Sequence, residues 1–150
     1  MKSMLGLAVA ITAVAFKDKV DKGGVPYIMH CWYVMEHAEG DDDEKCAYMM
    51  HDLIEDTNQD SDINWTFGKL LDVGFSTRTV EILQYMTHDP SDTYDEYIKK
   101  ISEDQSAIKG KKADLKHNSC ITRLKGLRDK DFERIKKYNK AYVYLTGKQE

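Results

Sequence analysis

Apolar residues recur every three to four positions along most of the chain, with polar residues filling the intervals. That period is the mark of one-sided helices. It predicts a first helix over residues 5–22, apolar as far as Phe16 and charged beyond it. Gly23-Gly24 end it, and Pro26 follows. A second helix is expected over 27–38 and a third over 44–54. The acidic run Asp41-Asp42-Asp43-Glu44 suits the positive end of the third helix's dipole. Residues 58–64 read as a polar loop. Further helices follow over 66–72, 76–86 with Ser76 as N-cap, 93–103, 107–119 and 131–145. Tyr94, Tyr97, Ile98 and Ile101 share one helical face. Phe132, Ile135, Tyr138, Tyr142 and Leu145 share another and are expected in the core, as are Trp32, Tyr33, Met49 and Met50. No alternating run bounded by tight turns predicts a strand. The reading is an all-α helical bundle, with residues 1–150 forming one domain.

Charge narrows the class. Twenty-two Lys and Arg against 26 Asp and Glu leave a formal charge of −4. With no basic block, the chain is expected to bind no nucleic acid. Cys31, Cys46 and Cys120 are too few for a disulfide framework and are expected to be buried and inert in a reducing, cytoplasmic setting. Residues 1–16 carry Lys2, an apolar stretch and Ala13-Val14-Ala15, a pattern shared with secretory signals. The stretch falls short of the roughly 20 apolar residues of a membrane span, so no membrane association is expected. It is read as a retained first helix, because the chemistry just after it needs a supporting element.

That chemistry lies in four places. Pro26-Tyr27-Ile28-Met29-His30 opens the second helix, and His51-Asp52 lies near the end of the third. Glu55-Asp56-Thr57 follows directly, and Ala113-Asp114-Leu115-Lys116-His117-Asn118 comes much later. His51 follows His30 by 21 residues, and Asp114 follows Asp52 by 62. His30, His51, Asp52 and Asp114 would supply two imidazoles and two carboxylates, a donor set suited to Mn²⁺, Fe²⁺, Zn²⁺ or Mg²⁺. Such an ion polarises a phosphoryl oxygen and generates hydroxide near neutral pH. Glu55 and Asp56, one turn further on, are placed to orient water or accept its proton. His37 and His88 read as packing, surface or loop residues, and His117 as a residue behind the ligands or in solvent.

The ordered set resembles the signature of the HD-domain metal-dependent phosphohydrolases. More narrowly, the chain resembles the hydrolase domain of the RelA/SpoT homologues, including the small stand-alone hydrolases. The matching stretches are Lys22 to His30, His51 to Thr57 and Lys111 to Asn118, with weaker support from Tyr94-Asp95-Glu96-Tyr97-Ile98. The resemblance implies an HD-type helical bundle that hydrolyses the 3′-pyrophosphate of (p)ppGpp, a small-molecule nucleotide. It implies one Mn²⁺ on His30, His51, Asp52 and Asp114, Glu55 and Asp56 as the catalytic acidic pair, and Lys22 and Asn118 at the nucleotide. Lys19 and Arg123 join them as candidate substrate contacts.

Two positions depart from the family pattern. Asp21 stands where the family carries an arginine that stacks on guanine, and Cys120 stands where it places an arginine two residues after the Asn. A carboxylate cannot supply a guanidinium's stacking surface. Asp21 therefore leaves open hydrolysis of another nucleotide; a regulatory module that binds nucleotide without turnover is the alternative of a different class, and the intact ligand set and Glu55-Asp56 pair argue against it.

Overall fold

The computed structural model describes residues 3–58 and 62–150. It is all-helical: α1 (Met4–Ala15), α2 (Ile28–His37), α3 (Asp42–Met49), α4 (Leu53–Thr57), α5 (Phe67–Asp72), α6 (Thr77–Met86), α7 (Tyr94–Ile101), α8 (Gln105–Asn118) and α9 (Asp129–Lys148), with a 3₁₀ turn at Ile121–Arg123. Side-chain caps start most of them. Ser3, Asp41, Thr66, Ser76, Thr93 and Asp104 each accept from a backbone N–H of the first turn. Part of the polar loop expected at 58–64 lies outside the described residues.

The centre of the fold is α3. Its Cys46, Ala47, Tyr48 and Met49 are buried, and it packs against α1, α2 and α6. Helix α8 lies across α2 and α6 and carries α9 on its outer side. Gly110 lets α8 come this close. A Cβ there would sit 2.5 Å from Tyr48 Cδ1 and 2.7 Å from Met86 Cε. Alanine is the better helix former by up to about 1 kcal/mol, but forcing a methyl into a filled core costs about 1–3 kcal/mol. Gly110→Ala is therefore expected to lower the melting temperature by several degrees in a thermal melt and to shift the helix that carries Asp114.

Glu44 ties the N-terminus of α3 to that of α8. It accepts from the Asp41 backbone N–H at 2.8 Å, from Ser106 Oγ at 2.5 Å and from Lys109 Nζ at 2.8 Å. Burial works against its charge, but these donors prevail and hold the carboxyl down at about 2. A depressed carboxyl stabilises the fold above its unfolded value near 4.3, and the contribution is lost as pH falls through its folded value. Glu44→Gln is expected to cost on the order of 2 kcal/mol at pH 7, with the gap to the parent closing between about pH 5 and 2. Denaturant melts across that range check it.

Two helical expectations and three of burial are corrected. The first helix stops at Ala15 rather than at residue 22. The chain from 16 to 27 instead forms a loop in which Asp21 Oδ1 accepts from the Gly23 and Val25 N–H groups, at 2.8 and 2.9 Å. An Asp side chain that satisfies its own neighbours competes with the helix ladder. The third helix breaks at Met50–Asp52 and resumes as α4. At the break His51 Nδ1 donates to the Tyr48 carbonyl at 2.9 Å, drawing the imidazole back along the chain. Phe132 is 56% exposed and Trp32 42% exposed, so neither is core, whereas Met49 and Met50 are fully buried. Phe132 follows the helical period, but only one turn into α9, where the core no longer reaches. Cys120 is exposed, unlike Cys31 and Cys46. Among the described residues no helix is long and apolar enough to cross a membrane.

Candidate functional site

Three elements converge on one point. His30 lies in the first turn of α2, His51 and Asp52 in the turn between α3 and α4, and Asp114 on α8. One nitrogen of each histidine and one oxygen of Asp52 lie within 4.8 Å of one another. Asp114 Oδ1 is 3.0 Å from His30 Nε2 and 3.5 Å from His51 Nε2, and Asp52 Oδ2 is 3.0 Å from His51 Nε2 and 3.8 Å from His30 Nε2. Around a divalent ion, ligands at about 2.1 Å stand roughly 3 Å apart, so the His30, His51 and Asp52 atoms have the spacing to share one, with Asp114 Oδ1 close to both imidazoles. The break after α3 makes this possible, because a turn lets adjacent side chains converge where a regular helix would splay them by about 100°.

The atoms facing this point fit a metal better than a self-contained polar core. His51 Nδ1 is engaged by the Tyr48 carbonyl, which leaves Nε2 without a proton in the neutral ring. That Nε2 is buried, and despite its nearby carboxylates it has no aligned hydrogen-bond partner among the described residues. Burial opposes charge on Asp52, yet His51 beside it holds its carboxyl down at about 2. Asp114 is likewise held well below the usual range, against its burial, by Lys111 and the two histidines. His51 is driven the other way: its burial is outweighed by the two aspartates, which raise it. With both imidazoles neutral, as ligation requires, Lys111 offsets only one of the two charges on Asp52 and Asp114. A divalent cation would pair with the charge that remains.

A second layer holds the four side chains. Tyr27 Oη donates to Asp52 Oδ2 at 2.5 Å, Lys111 Nζ to Asp114 Oδ2 at 2.8 Å, and Asn118 Nδ2 to Asp114 Oδ1 at 2.8 Å. His117 Nδ1 lies 2.7 Å from His30 Nδ1. Sequence reasoning quoted Tyr27 and Lys111 within motifs without giving them these jobs. Their signal was present only as position: Tyr27 three places before His30, and Lys111 three places before Asp114.

Glu55 and Asp56 lie on α4 and diverge. Glu55 Oε1 accepts from the His88 backbone N–H at 2.8 Å, which accounts for His88 as a loop residue. Asp56 Oδ2 accepts from Lys19 Nζ at 2.5 Å, and that ammonium also lies 4.1 Å from the Tyr27 ring centre. Burial raises both carboxyls above their ordinary values, with the charge of Asp52 adding to the rise. Raised carboxyls are better proton acceptors near neutral pH.

Beside the cluster opens a cleft of about 310 Å³ that reaches His30 and is walled by Lys22, Asn118, Arg123, Arg134 and Tyr138. Four of the candidate substrate contacts therefore line one space, for Lys19 borders it too. Two expectations change in detail. Lys19 is not a free cation, since Asp56 holds it. Arg123 does reach the wall, but through an ion pair: NH2 donates to Asp21 Oδ2 at 2.7 Å and NH1 to the His117 carbonyl at 2.9 Å. Asp21 thus has both oxygens occupied, and a guanidinium stands next to the position where the sequence lacks one. Gly23 packs so closely on this turn that a Cβ would meet the Arg123 carbonyl oxygen at 2.5 Å. Burial and the neighbouring Arg134 lower Lys22, which marks a cationic corner of the cleft. Arg134 and Tyr138 of α9 were missed as pocket residues, because a helical period says which face is inward and not what it lines.

No family model and no curated protein matches the chain. A solved structure does. It is a metazoan orthologue of SpoT, described as hydrolysing ppGpp and playing a role in starvation responses. It matches with a TM-score of 0.75 and 18% sequence identity, over 99% of this chain and 89% of its own. The two chains share a fold. At that identity the likeness establishes the architecture, and chemistry has to be argued from the side chains above.

Proposed function

We propose that the protein is a metal-dependent hydrolase of the 3′-pyrophosphate of (p)ppGpp-like nucleotides. The observation that carries this reading is the quartet of buried His30, His51 and Asp114 with half-buried Asp52, its unpartnered His51 Nε2 beside a cleft with cationic walls. The SpoT orthologue with this architecture, and its described action on ppGpp, supports it.

In this reading His30, His51, Asp52 and Asp114 hold one divalent ion, proposed as Mn²⁺. Bound there, the ion supplies Lewis-acid polarisation of a phosphoryl oxygen and lowers the pKa of water. The chain's own groups do the rest. Lys22, Asn118, Arg123 and Arg134 bind and orient the anionic nucleotide. Glu55 and Asp56 accept the proton of the attacking water, and Lys19 keeps Asp56 in place. Water adds to the phosphorus bonded to the ribose 3′ oxygen, the P–O bond to that oxygen breaks, the 3′ oxygen keeps the bonding pair and takes up the proton the acidic pair accepted, and pyrophosphate leaves.

The occupied Asp21–Arg123 pair favours a second reading, in which the cleft accepts a base other than guanine. A screen of ppGpp, pppGpp and common nucleotides with Mn²⁺, scoring pyrophosphate against phosphate release, tests both. The first reading expects pyrophosphate from the guanosine tetra- and pentaphosphates, with kcat/KM at least tenfold above other nucleotides. Equal or greater turnover of another nucleotide favours the second. No turnover with any of them removes the hydrolase reading.

A further inference from the structure

His117 lies outside the proposed ligand set, yet it makes the shortest contact to His30 in the cluster. The two Nδ1 atoms are 2.7 Å apart and the rings lie within 11° of parallel. Its own ring is held firmly. Tyr33 stacks on it at 4.0 Å between centres, and the next ring, His37, stacks on Tyr33 at 3.8 Å. The Arg123 guanidinium secures its backbone carbonyl at 2.9 Å.

Two imidazole nitrogens this close must share one hydrogen, because two lone pairs or two N–H groups would repel. The other nitrogen of His30, Nε2, points at Asp114, Asp52 and His51. A nitrogen that ligates an ion carries no hydrogen, so a ligating His30 keeps its hydrogen on Nδ1 and must donate it. His117 Nδ1 is the acceptor in place. For His51 the same task falls to the Tyr48 carbonyl, 2.9 Å from Nδ1.

We infer that His117 is a positioning residue of the metal centre: it accepts the His30 Nδ1 hydrogen, fixes the ligating tautomer and ring angle, and leaves Nε2 to the ion. This rests on the metal reading above. It gives the Tyr33–His117 stack a purpose beyond packing, and links the Arg123 turn to the ion through one side chain.

Calorimetric titration of Mn²⁺ into the purified metal-free protein tests it. His117→Phe keeps a ring against Tyr33 and removes the acceptor. His117→Asn restores an acceptor close to the place of Nδ1. Mn²⁺ dissociation constants are expected to rise about 10–100-fold in His117→Phe and to stay within about threefold of the parent in His117→Asn. Imidazole nitrogen NMR of the Cd²⁺-loaded parent is expected to show His30 protonated at Nδ1. If the Phe variant does not fold, His117→Leu replaces it, since leucine likewise offers no acceptor at the Nδ1 position. Parent-like affinity in the acceptor-less variant overturns the inference. So does equal weakening in His117→Asn, which would make the position one of shape alone. Absence of Mn²⁺ binding to the parent overturns the metal reading itself, an outcome distinct from both.

Discussion

Replacing Glu55 with Gln and Asp56 with Asn is expected to lower turnover at saturating nucleotide by about 10²–10⁴-fold, the usual contribution of acid–base groups. Mn²⁺ content and nucleotide affinity should change little, because neither carboxylate belongs to the quartet. Glu55 is bonded to the His88 backbone and Asp56 to Lys19. Stability should move in the opposite direction to activity. Burial raises both carboxyls, so the folded state binds their protons more tightly than the unfolded chain does. Such groups cost stability above their folded values, and the cost fades as pH falls. The neutral pair is therefore expected to melt at or above the parent at pH 7, with the difference shrinking toward pH 4. Kinetics, metal analysis and thermal melts on one preparation check all three parts. Near-parental turnover would show that the pair only shapes the end of α4. Loss of metal would make one of the two a ligand.

Asp52→Asn is expected to abolish both bound divalent ion and turnover while the fold persists. The substitution keeps the shape and removes the charge that faces His51 and His30. Tyr27 Oη, which now donates to Asp52 Oδ2, can still donate to an amide oxygen, so the local packing has a route to survive. Elemental analysis beside circular dichroism reads the result. Full occupancy in the folded variant would exclude Asp52 as a ligand.

The sequence reached far for chemistry that is local in type and less far for geometry. His30, His51, Asp52 and Asp114 stood out because two imidazoles and two carboxylates in that order are uncommon by chance, and the fold brings their nitrogens and oxygens together. The break between α3 and α4 was not legible. It depends on the His51 imidazole turning back to the Tyr48 carbonyl, while hydrophobic period alone continues the helix through residue 54. The end of the first helix was missed for a related reason. Residues 16–22 contain helix formers, but Asp21 closes a turn on Gly23 and Val25 and pairs with Arg123, 102 residues away. Phe132 shows the limit of amphipathic reasoning, since a helix can carry its apolar stripe past the edge of the core. His117, Lys111, Arg134 and Tyr138 acquire their places only from the crossing of α2, α8 and α9, which no single segment encodes.

The central claim is that this chain cleaves pyrophosphate from a nucleotide in a reaction that depends on an ion held by the quartet. The most direct measurement follows ppGpp by phosphorus NMR with chelator-treated protein while Mn²⁺ is added in steps. The account predicts no turnover before addition, then GDP and pyrophosphate appearing at a rate that saturates with the metal-binding isotherm. Intact ppGpp at saturating Mn²⁺, or pyrophosphate release that proceeds equally without the ion, would contradict it.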